Sequence, residues 1–448
     1  MNVLWNFSRR LFVLLAAMMI ATSGLLVSNV SAQQPVITRD GAQLKRDGKT
    51  YTFTGVNAYQ LATYWPVNEG CGGMLGDAEM DAFFASLRPN SVVRFWAFQD
   101  QAINKNTGQR DWTAIDRVFR SAEKNNQYVL PVIANHYPEC DGGALKTDTW
   151  YEGGYTTPFS PDGKTTRVSY QAYMQELVGR YKDSSALGMW SLINEPEMSC
   201  GKTAQLRNFF DTVGAELKSI DNRHLLEMGV IGGNQCSVGG SGYTTILASS
   251  QIDVATYHDY HYENVALPTE PTGSSLADRI RQARAIGKPI IVGEAGIFAS
   301  KSGAAGCMSL EQRSGMFQQK IRAAIDAGAS GYLPWNWVQT APAGCTHDIE
   351  PGDPTMQTLR TIGLPGDPNT PTNNDDGTPN NPNNTNGTGT STDVASQSGT
   401  SDKLPGAIPS TGPGEQIMAV VAIVSGVAIY FGTLYRHRLR ELARELFS

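Results

Sequence analysis

Basic residues are too few in this sequence to dominate its charge: 36 Lys and Arg stand against 42 Asp and Glu, a formal charge of −6 spread without a basic patch. That balance offers nucleic acid or an anionic membrane surface no electrostatic footprint, and it suits a neutral substrate. Close Cys-x-x-Cys pairs are absent as well, which removes the usual spacing of a zinc site. No Gly-x-Gly-x-x-Gly turn follows the first strand candidate, an absence that argues against a doubly wound dinucleotide-binding sheet. Length excludes little, because an α/β barrel commonly takes about 250 residues or more as a single domain.

What is present begins with an export signal over 1–32. Arg9 and Arg10 precede an apolar run from Leu11 to about Val27, and the small-residue site Val30-Ser31-Ala32 stands before Gln33. An uncleaved anchor is the alternative. Export places Cys71, Cys140, Cys200, Cys236, Cys307 and Cys345 in an oxidising compartment, where an even number favours disulfides over metal binding. Their neighbouring order along the chain suggests Cys71–Cys140, Cys200–Cys236 and Cys307–Cys345.

Over 33–366, short apolar runs alternate with longer amphipathic stretches. The strand candidates are 53–57, 91–96, 128–134, 188–194, 224–229, 253–258, 289–294 and 331–335. Helix-like stretches follow most of them, at 77–87, 112–124, 168–181, 204–220, 275–286 and 310–327. Repeated βα units of this kind predict an α/β fold, a (β/α)₈ TIM barrel, with an open sheet as the alternative. All six cysteines fall in or beside the segments that follow strands, which in a barrel gather on the C-terminal rim.

After Pro365 the composition turns to Asn, Thr, Gly, Pro and Ser, so 367–414 reads as a low-complexity linker that cannot bury a core. The uncharged run 417–435 predicts a transmembrane helix over 415–435, and Arg436, Arg438, Arg440 and Arg444 assign the tail 436–448 to the cytoplasm. Just before it, Ile408-Pro409-Ser410-Thr411-Gly412 resembles the Leu-Pro-x-Thr-Gly motif of a cell-wall sorting signal cut by a sortase, with Ile408 in place of leucine. The expected location is therefore extracellular and anchored at the cell surface, in membrane or wall.

Two strand candidates end in a glutamate: Asn194-Glu195-Pro196 and Gly293-Glu294-Ala295. Burying two carboxylates at a barrel's rim is costly unless they do something, and hydrolysis of a glycosidic bond needs two carboxyl groups. Around them the chain is similar to the retaining barrel glycosidases, and specifically to glycoside hydrolase family 5, from about Gly55 to Pro354. The resemblance implies Glu195 as acid/base and Glu294 as nucleophile, on the fourth and seventh strands. It implies that Asn194 orients substrate near the 2-hydroxyl, that Arg94 in Val93-Arg94-Phe95-Trp96 holds the nucleophile, and that His258 and Tyr260 form the family's His-x-Tyr after strand six. It makes Trp335 the floor of the subsite where the bond breaks. Asn135 and His136 both stand where the family has a residue after strand three, and His136 is a candidate to line the site. Trp96 and Trp65 are further candidate sugar platforms, since sugar rings present apolar faces to aromatic side chains.

Gly55-Val56-Asn57-Ala58-Tyr59, Val93-Arg94-Phe95-Trp96-Ala97-Phe98 and Tyr332-Leu333-Pro334-Trp335-Asn336-Trp337 look more like the mannanase branch than the cellulase branch. The expected activity is therefore endo-β-1,4-mannanase, with a β-1,4-glucanase or a non-catalytic anchored carbohydrate-binding protein as alternatives. No metal and no organic cofactor is expected, because two carboxyl groups supply this chemistry. The expected partner is a β-linked polysaccharide or oligosaccharide.

Overall fold

The computed structural model describes residues 34–142, 144–159, 167–260, 264–269 and 273–365. The export signal expected over 1–32, the linker over 367–414, the membrane span over 415–435 and the tail over 436–448 lie outside these residues. Among the described residues no helix is long and apolar enough to cross a membrane.

The chain first makes a small antiparallel sheet of β1 (Ile37–Asp40), β2 (Gln43–Arg46) and β3 (Lys49–Thr50). Its only fully buried side chains, Ile37 and Leu44, pack into one cluster with Tyr51, Phe53, Tyr128, Met189 and Leu225. Arg46 Nε donates to Tyr128 Oη at 2.8 Å, and that hydroxyl donates to Pro35 O at 2.6 Å. Phe53, Tyr128, Met189 and Leu225 all stand at the start of barrel strands, so the small sheet covers the N-terminal end of the barrel.

Eight parallel strands form that barrel: β4 (Phe53–Asn57), β5 (Val92–Trp96), β6 (Tyr128–Val132), β7 (Met189–Ser191), β8 (Leu225–Glu227), β9 (Ala255–Asp259), β10 (Ile290–Ala295) and β11 (Gly331–Pro334). Their order is β8-β7-β6-β5-β4-β11-β10-β9, and a parallel bridge between Glu227 and Val254 closes the ends into a ring. Every residue of these strands is buried, because one face meets the helices and the other meets the barrel axis. Strands covered on both faces read as near-continuous apolar runs, which is why each was visible in the sequence. The two faces alternate along the strands, except where the register of β10 shifts after Val292 and brings Glu294 to the mouth. Met189, Leu225, Val254, Ile291 and Leu333 pack inside with Val92 and Leu130, while Trp190, Leu226, Ala255, Val292 and Tyr332 pack outward in the helix layer.

Helices are bounded by local chemistry. The helix Leu276–Ile286 starts on a capping box of Ser275 and Asp278 and ends at Gly287, whose φ of 76° needs no side chain. The helix Leu310–Ala327 repeats the device with Ser309, Gln312 and Gly328. Disulfides join Cys71 to Cys140, Cys200 to Cys236 and Cys307 to Cys345. Each joins segments that follow strands, so all three brace the C-terminal rim.

Candidate active site

The rim gathers its polar groups around Arg94, which is fully buried on the inward face of β5. Its Nη1 donates to Glu294 Oε1 at 2.5 Å and to Asn57 Oδ1 at 3.1 Å, and its Nη2 donates to Asn194 Oδ1 at 2.7 Å. Asn57 is fixed in turn, since its amide donates to Gly293 O at 2.9 Å and to Leu333 O at 3.1 Å, tying β4 to β10 and β11. Asn194 donates to Asn135 Oδ1 at 3.1 Å, and Asn135 donates to Glu139 O at 3.0 Å. A chain of amides thus holds the guanidinium in place across the barrel. The same guanidinium lies 4.9 Å from the centre of the Trp96 ring.

Glu294, at the end of β10, receives Arg94 on one oxygen and the Tyr260 hydroxyl on the other, at 2.6 Å. Two hydrogen bonds, one of them from a buried cation, thus engage both of its oxygens. Burial and the neighbouring Glu294 charge push the Tyr260 phenol well above its ordinary range, so it remains a donor.

Glu195 follows β7 in a left-handed conformation with φ of 50°. That conformation costs on the order of 1–2 kcal/mol for a residue with a side chain. Its N–H donates to Gly229 O at 2.7 Å, which holds it there. Gly229 must be glycine: its φ is 70°, and a Cβ would stand 2.2 Å from Ile193 O. Burial raises the Glu195 carboxyl to about 7, with Arg94 opposing and Glu197 adding to the shift. Its Oε1 lies 2.6 Å from His258 Nδ1, and burial lowers that imidazole to about 4, so it is neutral near neutral pH. One oxygen of each glutamate and a ring nitrogen of His258 lie within 4.8 Å of one another.

These groups line a cavity of about 740 Å³ together with Tyr59, Trp96 and Trp335, and with Asn135, Glu139 and Asp348. Trp335 stacks on Tyr59 with centroids 5.5 Å apart and lies 5.5 Å from Trp96. Aromatic faces beside carboxyl and amide groups suit a sugar, whose rings carry apolar faces and a rim of hydroxyls. Glu195, His258 and Glu294 are also the three donors, among the described residues, placed closely enough to hold a metal ion. Arg94 and Tyr260 already occupy both oxygens of Glu294.

Of the residues singled out in the sequence, Arg94, Asn194, Glu195, His258, Tyr260, Glu294, Trp335 and Trp96 come together here. His136 and Trp65 do not line the cavity. His136 is buried with Nδ1 2.9 Å from the Tyr151 hydroxyl, and only its backbone N–H reaches the site, at Asn194 O. Asn135 supplies the side chain after the third barrel strand. Trp65 is half exposed, on the segment after β4. Asn57, Glu139 and Asp348 were not anticipated as site residues. Asn57 ended a predicted strand, as Glu294 did, with Glu195 one residue past the end of another, and that position was its signal.

Paired carboxyl groups at the C-terminal mouth of a (β/α)₈ barrel form the arrangement that glycosidic bond hydrolysis uses. The chain belongs to glycosyl hydrolase family 5, whose profile, described as Cellulase (glycosyl hydrolase family 5), matches residues 46–340. Among curated relatives, the probable mannan endo-1,4-beta-mannosidase F of Aspergillus flavus is 27% identical over 289 residues, covering 58% of this chain and 60% of that protein. The mannan endo-1,4-beta-mannosidase F of Aspergillus fumigatus is 25% identical over 342 residues, covering 69% and 72%. The match thus spans about 60% of the length of the first of these relatives. The solved endo-beta-1,4-mannanase of Thermotoga petrophila shares the fold, with a TM-score of 0.53 and 18% identity over 70% of this chain and 76% of that one.

Proposed function

We propose that this protein is a retaining endo-β-1,4-mannanase that works by double displacement. Glu294 attacks the anomeric carbon while Glu195 protonates the departing glycosidic oxygen. The covalent glycosyl-enzyme is then hydrolysed by a water from which Glu195, now a carboxylate, takes a proton. The observation that carries this reading is the opposite setting of two like side chains a few ångströms apart. Arg94 and Tyr260 bond the two oxygens of Glu294 and hold it as the nucleophile, while burial keeps a proton on Glu195 up to about pH 7. One oxygen of each glutamate lies within 4.8 Å of the other, a proximity that suits direct attack in a retaining mechanism. Asn194, fixed by Arg94 and Asn135, faces the sugar's 2-hydroxyl, and Trp335 floors the subsite.

Mannan is preferred to glucan because the curated relatives are described as mannan-cleaving; the family's description as cellulase keeps a β-1,4-glucanase as the second reading. The test is reducing-sugar release from mannan, carboxymethyl cellulose, xylan and β-1,3-glucan, with Glu294→Ala as control. Faster cleavage of cellulose than mannan rejects mannanase; binding without turnover on all four leaves a carbohydrate-binding protein. Retention is checked by the anomeric configuration of the first product formed. Three disulfides fit assembly in an oxidising, extracytoplasmic compartment. We place the domain outside the cell on the 367–414 spacer, anchored by the 415–435 span or by a sortase. Fractionation of cells carrying the full chain, with and without Thr411→Ala, distinguishes the two anchors.

A further inference from the structure

Below the mouth, the barrel interior contains polar side chains that the proposed chemistry does not use. Glu227, on β8, is fully buried, and neither carboxyl oxygen has a protein hydrogen-bond partner among the described residues. Ser191 Oγ on β7, Thr256 Oγ1 on β9 and His258 Nε2 on β9 are buried and equally unpartnered. These four share the inward face. Ser191 and Glu227 are direct partners in the β7–β8 ladder, Glu227 bridges Val254, and Thr256 and His258 follow Val254 by two and four residues. Thr256 Oγ1 and His258 Nε2 both border the space that a Cβ on Gly293 would fill, at 2.5 and 3.2 Å from it. The absence of a side chain at Gly293 keeps that space open between them.

Orphaned buried polar atoms are costly, a carboxyl group most of all, so a cluster of this kind calls for shared hydrogen bonding through buried water. The direction of those bonds matters to the site above. A neutral imidazole carries one N–H. If it sits on Nδ1, it donates to Glu195 Oε1 and favours the carboxylate, the wrong form for protonating a leaving group. If it sits on Nε2, Nδ1 accepts the Glu195 proton's hydrogen bond and favours the acid. Around His258 the facing groups are Glu195 at 2.6 Å, Glu294 at 3.7 Å, the Arg94 guanidinium on β5 and Glu227 on β8. Of these, Glu227 is the one whose two carboxyl oxygens have no hydrogen-bond partner among the described residues.

We propose that Glu227 is a positioning residue that, through water shared with Thr256 and Ser191, accepts the N–H of His258 Nε2. It thereby locks the tautomer in which Nδ1 receives the proton-bearing oxygen of Glu195. The proposal rests on Glu195 being the acid/base, yet its first test needs no substrate. The chain has six histidines, so histidine-selective ¹⁵N labelling of the full chain resolves the resting tautomer of His258, assigned by loss of its signals in His258→Asn. The expected result is an Nε2–H tautomer in the wild type; an Nδ1–H tautomer overturns the proposal whether or not any variant folds. Glu227→Leu should release the lock, converting His258 to the Nδ1–H tautomer and moving the basic limb of kcat/KM to lower pH by roughly one unit. Glu227→Gln, which keeps an acceptor oxygen, should retain the wild-type tautomer and limb. A folded Glu227→Leu protein with both unmoved refutes the idea. Absence of hydrolysis by the wild type would instead reject the proposed function and leave the tautomer result standing.

Discussion

Arg94 is the residue at which the site can be taken apart most informatively. Its guanidinium is fully buried and donates to Glu294, Asn57 and Asn194. Arg94→Met removes the cation and leaves Glu294 buried with only Tyr260 as donor. Breaking a buried, hydrogen-bonded ion pair from one side costs about 3–5 kcal/mol. If that loss falls on the reacting geometry, kcat/KM drops by roughly 10²–10⁴-fold, at about 1.4 kcal/mol per tenfold. A second effect has a definite sign. Arg94 opposes the upward shift of Glu195, so removing it lets Glu195 hold its proton to higher pH. The basic limb of kcat/KM, near pH 7 in the wild type, should move in the alkaline direction while the rate falls. Arg94→Lys separates the two effects: the charge is kept and the limb stays near its wild-type position, but one ammonium cannot bridge Glu294, Asn57 and Asn194 together, so the rate remains low. The assay is initial-rate hydrolysis of mannan from pH 4 to 9, with circular dichroism to confirm folding. Retention of activity within tenfold in Arg94→Met, or a limb displaced to lower pH, refutes the assigned roles.

Glu195→Gln and Glu294→Gln should each reduce turnover by several orders of magnitude and leave the thermal transition of the domain nearly unchanged, as calorimetry would show. Azide should restore part of the rate in an acid/base variant, with an activated aryl substrate, and give no such rescue in Glu294→Gln. Gly229→Ala places a Cβ 2.2 Å from Ile193 O at a φ of 70°; it should destabilise the fold by more than about 1 kcal/mol and impair turnover more than substrate affinity, because the Gly229 carbonyl holds Glu195. Removing the Cys200–Cys236 bridge as a double alanine variant frees a loop of 36 residues' separation, and chain entropy predicts a loss of about 4 kcal/mol in denaturant titration. A loss below about 1 kcal/mol would mean that the rim is held by its hydrogen bonds alone.

The barrel was legible because burial on both faces leaves a continuous apolar signature, and all eight strands lie within two or three residues of where that signature predicted them. The disulfide pairs followed from their order along the rim. The N-terminal sheet was not legible: β1 to β3 are two to four residues long and bury only Ile37 and Leu44 fully, too little for a periodic pattern. Short helices in the rim segments, Asp148–Tyr151 and Gly242–Leu247, escaped for the same reason. Pro354–Thr361 could have been found, since Asp353 caps it and Pro354 occupies its first position.

The site divides along a different line. Residues at or just past strand ends are legible, because the chain's own pattern places them on the rim: Glu195 and Glu294 are read this way, and Asn57 carries the same signal unread. Residues that make two glutamates unlike each other were found only by resemblance, since Arg94 and Tyr260 lie 200 and 34 positions from Glu294. Nothing local distinguishes the two carboxyl groups, and each would be an ordinary acid in water. The separate roles proposed for them rest on what the closed barrel brings to each: a cation and a phenol on one side, and desolvation beside a neutral imidazole on the other. Function in this fold is therefore a property of the barrel's closure, and a substitution that loosens the β8–β9 seam below His258 should damage catalysis before it unfolds the protein.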